Sequence, residues 1–100
     1  MRILLVCAAG MSTSLLVTSM KKVAGEDVVI EAHPIAELES IADNFDIVLV
    51  GPQVRYKYAK VEDICRERHV ATGLIDMAAY GRMDGKAVMQ QVKKIMEARA

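Results

Sequence analysis

The chain has 100 residues, with 13 Lys plus Arg against 13 Asp plus Glu, a hydrophobic fraction of 53% and 26% charged residues. This composition predicts one domain over residues 1–100 with one modest core and excludes a disordered chain. Balanced charge and an aromatic content of only 4% argue against a nucleic-acid or acidic-lipid surface, which needs a net positive field or stacking rings.

Four apolar runs rich in Val and Ile read as buried strands: Arg2 to Val6, Val28 to Ala32, Asp46 to Val50 and Val70 to Ile75. Helical patterns lie between and after them. The first spans Ser12 to Ala24, with Leu16, Met20 and Val23 at helical spacing and Gly25 in the C-cap position. A short helix after Pro34 carries Leu38 and Ile41. The next begins after Gly51-Pro52 and aligns Val54, Tyr58, Val61 and Cys65. A turn at Met77 to Gly81 leads to the last helix, with Asp84 as N-cap and Val88, Val92, Ile95 and Met96 on one face. No run approaches the roughly 18–20 apolar residues of a membrane span. The short opening run leads directly into the next motif and does not read as a secretory signal. A cytoplasmic protein is expected, in which Cys7 and Cys65 stay unpaired. With no spaced His or Cys neighbours they also make a poor metal site, and no cofactor is expected.

Continuous apolar strands alternating with helices predict an α/β fold, an open four-stranded parallel sheet with helices on both faces. Right-handed crossovers give the strand order 2-1-3-4. The order reverses between strands 1 and 3, and the crevice at their C-terminal ends is the expected binding site. Cys7 ends strand 1 and Gly51-Pro52-Gln53 follows strand 3. The topology therefore brings both to that crevice.

Cys7 opens the segment Cys7-Ala8-Ala9-Gly10-Met11-Ser12-Thr13-Ser14, a small-residue loop running into a helix start. The unpaired N–H groups of a helix start bind anions, and the same field favours a thiolate over a thiol. A nucleophile and a phosphate cradle thus share one segment. Thiol phosphatases place an Arg six residues after the Cys to clamp the phosphate; here that position is Thr13, and no Arg or Lys occurs between Cys7 and Met20. A phosphate would rest on backbone N–H groups and the hydroxyls of Ser12, Thr13 and Ser14. Without the Arg or a nearby acid, hydrolysis is poorly served, and the loop suits holding a phosphoryl group for an acceptor. Gly10 gives the loop freedom to curl, and Met11 stands at its tip. Gly51, Pro52, Gln53 and Tyr80 are candidates for supporting the loop or touching a partner. Cys65 reads as core, Asp76 as a cap, His69 as lying at the wrong end of the sheet, and His33 as a surface or capping residue at the end of strand 2.

Three segments together resemble the IIB component of bacterial sugar phosphotransferase systems, in the lactose/cellobiose/chitobiose class and most like its cellobiose-type branch. They are Cys7 through Leu16, Leu49-Val50-Gly51-Pro52-Gln53, and Tyr80-Gly81-Arg82-Met83-Asp84-Gly85. The resemblance spans essentially the whole chain. It implies that Cys7 takes a phosphoryl group from a phosphohistidine of the IIA component. It further implies that Cys7 passes the group to a sugar, a β-linked disaccharide, at the membrane component IIC. The protein would then be cytoplasmic and transiently associated with that permease. The cradle carries over onto Ala8 through Ser14, mainly as backbone. Ala8 departs from the pattern, since a Ser is common there, and a hydroxyl contact at that position is lost. Two other classes stay open on the residues alone. One is a thiol phosphatase or arsenate-reductase-like enzyme. The other is a flavodoxin-like binding module whose loop holds a cofactor phosphate.

Overall fold

The computed structural model describes residues 1–8 and 12–99, with Ser12 described by its backbone alone. Four strands, β1 (Arg2–Cys7), β2 (Val29–Pro34), β3 (Ile47–Val50) and β4 (Ala71–Leu74), form one sheet in the order β2-β1-β3-β4. All neighbouring pairs are parallel, with Ile3 opposite Ile30 and Ile47, Ile47 opposite Ala71, and Cys7 opposite Pro34. The expected order is thus the observed one. β2 runs two residues past its predicted end, because the edge position lets Pro34 sit in a strand where its missing N–H faces outward.

The helices are α1 (Ser12–Val23), α2 (Leu38–Ile41), α3 (Tyr58–Glu67), α4 (Met77–Gly81) and α5 (Gly85–Arg99). Strand alternation sends successive side chains to opposite faces. Ile3, Leu5 and Leu49 pack under α1 and α5, against Leu16, Met20, Val88 and Val92. Leu4, Val6, Val48 and Val50 pack on the other face with Leu38, Val61 and Cys65. Full burial of each such aliphatic side chain stabilises the fold by about 1.5–3 kcal/mol. The α1–α5 contact requires a glycine. A Cβ at Gly85 would stand 2.4 Å from the Met20 nitrogen and the Ser19 carbonyl carbon.

Local signals were followed closely at two caps. Asp76 accepts from the Ala79 N–H at 3.0 Å and Asp84 from the Ala87 N–H at 3.1 Å. The Met77 to Gly81 turn is a short helix. Three expectations change. Val23 is 52% exposed, because the buried stripe of α1 follows Leu16, Val17 and Met20 and then Ala24. Gly25 adopts no left-handed cap; among the described residues the positive φ values fall at His69 (58°) and Met83 (52°), just past α3 and α4. The segment after Gly51 begins as a 3₁₀ stretch, Pro52–Lys57, with Val54 off helical geometry, before α3 proper starts. His33 is the next-to-last residue of β2, at the strand end expected of it.

Candidate functional site

β1 carries Cys7 to the C-terminal edge of the sheet, at the point where strand order reverses. The side chain is buried, 6% exposed, and its thiol lies 3.9 Å from the His33 carbonyl oxygen, a weak acceptor contact. Five residues on, α1 begins at Ser12. Ala8 is exposed. Ala9, Gly10 and Met11, assigned above to the anion cradle, lie outside the described residues, as does the Ser12 side chain. Ser14 is exposed on the first turn of α1.

The end of β3 closes in from the other side. The Gly51 N–H donates to the Val6 carbonyl at 3.0 Å. A Cβ at Gly51 would stand 3.1 Å from Gln53 Oε1, 3.4 Å from the Val6 oxygen and 4.0 Å from Cys7 Cβ. Glycine is what lets this loop pass so near the thiol. From there Gln53 Nε2 donates to Tyr80 Oη at 2.7 Å, and Tyr80 Oη stands 3.4 Å from Thr13 Oγ1. Tyr80 is 8% exposed and Thr13 only 2%. The Thr13 hydroxyl therefore turns inward to Tyr80, whereas the sequence analysis placed it among the hydroxyls facing a phosphate. Gly51, Gln53, Tyr80, Thr13 and Cys7 come together from the ends of β1 and β3, the first turn of α1 and α4; Pro52 starts the 3₁₀ stretch beside them.

The sequence reading missed a carboxylate pair around His33. Nε2 lies 2.9 Å from Glu31 Oε1 and Nδ1 lies 3.1 Å from Glu37 Oε1. Acceptors on both ring nitrogens call for a hydrogen on each, which is the imidazolium form. The Glu31 hydrogen bond raises the His33 pKa; burial opposes it and Glu37 adds to it. The i,i+2 spacing in a strand and the i,i+4 spacing into the next turn were visible in the sequence as a shared side. Cys65 sits fully buried on α3. Burial pushes its thiol up, and the Thr72 hydroxyl and the Arg68 charge offset this only in part. His69 precedes β4, at the far end of the sheet from Cys7, as expected.

Residues 2–91 match the family model described as "PTS system, Lactose/Cellobiose specific IIB subunit". The chain belongs to that family. It is therefore a phosphoryl-transferring component of a sugar phosphotransferase system, which decides against the phosphatase and flavodoxin-like alternatives. The chain is 38% identical over 98 residues to the oligo-beta-mannoside-specific EIIB component of Bacillus subtilis, covering 95% of each. It is 36% identical over 102 residues to the cellobiose-specific EIIB component of Lactococcus lactis subsp. lactis, covering 94% of each. A galactose-specific EIIB component of Lactococcus lactis subsp. cremoris matches at 36%, again over 94% of each. The solution structure of a cellobiose-specific IIB component from Borrelia burgdorferi superposes with a TM-score of 0.80 at 36% identity, over 100% of this chain and 94% of that one. A lactose-specific IIB domain from Streptococcus pneumoniae shares the fold, with a TM-score of 0.84 at 16% identity over 95% of this chain and 96% of that one. Among the described residues no helix is long and apolar enough to cross a membrane.

Proposed function

We propose that Cys7 is the residue that carries the phosphoryl group, between a phosphohistidine of a IIA component and a sugar bound at a IIC component. The observation that carries this reading is the placement of the thiol. Cys7 ends β1 at the switch point of the sheet, five residues before α1 begins. In the first step an S–P bond forms at Sγ as the N–P bond of the donor breaks, and the thiol proton ends on the departing imidazole. In the second step a sugar hydroxyl oxygen takes the phosphorus, the S–P bond breaks, and the hydroxyl proton returns to the sulfur. The first-turn N–H groups of α1 and the backbone of Ala8 through Ser14 hold the transferred dianion. Charge-assisted bonds of this kind contribute about 1.5–3 kcal/mol each.

No Arg or Lys lies between Cys7 and Met20, so the cradle offers no fixed cation to stabilise a hydrolytic transition state. The phosphothiol is then kept for a protein-bound acceptor. Both partners must reach Cys7, so both use the same end of the sheet in turn. A β-linked disaccharide is the sugar class we assign, and relatives named for oligo-beta-mannosides and cellobiose support it. The protein works in the cytoplasm and meets the membrane only through the permease component.

The test is intact-mass analysis after incubation with phosphoenolpyruvate, enzyme I, HPr and a cellobiose-type IIA. A single phosphoryl adduct is expected on the parent protein and on Cys65→Ser, and none on Cys7→Ser. An adduct that persists on Cys7→Ser would overturn the assignment.

A further inference from the structure

We infer that Tyr80 is a positioning residue for phosphoryl transfer, acting through Thr13 on the first turn of α1. The inference rests on the assignment of Cys7 above. Cys7 and Thr13 are each anchored. At one end the sheet fixes Cys7, and the Gly51 N–H bonded to the Val6 carbonyl at 3.0 Å ties β3 to the same spot. At the other end Thr13 is 2% exposed and its hydroxyl meets Tyr80 Oη. Gln53 joins the two anchors. Its Oε1 would crowd a Cβ at Gly51 at 3.1 Å, and its Nε2 donates to Tyr80 Oη at 2.7 Å.

The two links differ in tightness. The Gln53–Tyr80 bond at 2.7 Å is short for an amide donor, whereas the Tyr80–Thr13 separation of 3.4 Å is longer than an ordinary hydroxyl pair. The tyrosine ring is buried and its short helix is capped by Asp76, so the hydroxyl has a fixed address. Tyr80 and Gln53 thus form a rigid post that sets where α1 starts. That start decides whether the N–H donors point at the phosphorus, and small displacements of such donors are costly in rate.

The experiment is single-turnover phosphorylation of the protein at a series of phospho-IIA concentrations, read by quenched-flow mass analysis. Tyr80→Phe keeps the buried ring and removes only the hydroxyl. Gln53→Ala changes an exposed side chain and does not threaten folding. Each is expected to lower the rate at saturating donor about three- to tenfold, the scale of one hydrogen bond, with the half-saturating concentration unchanged. The double variant should be no slower than the slower single variant, because the two residues act as one unit. A residue that merely stabilised the fold would shift the melting temperature without this split between maximum rate and half-saturation. Transfer by Tyr80→Phe at the parent rate overturns the inference, and so do single effects that multiply in the double variant. A parent protein that gains no adduct at Cys7 overturns the Cys7 assignment and this inference together.

Discussion

Cys7 and Cys65 are both shielded from solvent, 6% and 0% exposed, and both are free thiols. Burial does not tell them apart. Their surroundings do. Cys65 sits in the last turn of α3, in a core cluster with Val61, Val70 and Leu4, with one unbonded hydroxyl nearby. Cys7 stands where a strand stops, with the chain after β3 beside it and the backbone N–H groups of a helix start five residues on. A thiol becomes useful when the chain ends a regular element beside it, because only there are backbone donors unspent.

The largest expected difference between the two sites is therefore functional. Cys7→Ser should abolish sugar phosphorylation in a reconstituted assay and leave the melting temperature nearly unchanged. Cys65→Ala should do the reverse. Deleting a buried sulfur leaves a small void, and the cost is about 1–2 kcal/mol, measured by urea unfolding, with transfer retained. Loss of transfer in Cys65→Ala at full folding would break the contrast.

How far the contrast was legible in the sequence follows from the range of each interaction. The four strands, their order and the thiol at the switch point came from apolar runs and the handedness of crossovers, which are local or generic rules. The caps at Asp76 and Asp84 were legible because each is a contact over three residues. The post formed by Gln53 and Tyr80 was legible only as two residues at the correct end. Their bond joins positions 27 apart, and no periodicity encodes it. Thr13 was read as one hydroxyl of a polar run, and only packing shows that it turns inward. Val23 was misplaced because Met20 plus three and Met20 plus four are both helical neighbours, and the tilt of α1 on the sheet chose Ala24. The left-handed caps fell to His69 and Met83 rather than to a glycine. Helix length, set by what each helix packs on, outweighed the mild cost of φ > 0 at those residues.

A smaller test sharpens the picture of the structural thiol. Thr72 Oγ1 is buried and has no hydrogen-bond partner among the described residues. It is close enough to Cys65 to help offset the burial that pushes that thiol up, but the contact falls short of hydrogen-bond geometry. An unpaired buried hydroxyl costs free energy that an isosteric methyl does not. Thr72→Val should raise stability by about 1 kcal/mol, or about 4–8 °C in melting temperature for a chain of this size. A fall of similar size would show that the hydroxyl has a partner after all and that the surroundings of Cys65 are more polar than described.

The smallest effect lies on the Cys7 side, where His33 lends its carbonyl to the thiol and its ring to Glu31 and Glu37. The folded pKa is raised above the ordinary 6.5. The sign follows from linkage: the folded state holds the proton more tightly than the unfolded chain. The stabilisation is complete below about 6.5 and is lost as the pH climbs through the raised folded value. The ring is 30% exposed and the carboxylates 41% and 49%, so water screens the pair and the contribution is about 0.5 kcal/mol or less. The parent should melt about 2–4 °C lower at high than at low pH from this source. His33→Gln should remove that component, leaving a flatter pH profile above about pH 6.5 with the same hydrogen-bonded strand edge. Equal slopes in parent and variant would mean that the two carboxylates hold the ring in place without holding its proton.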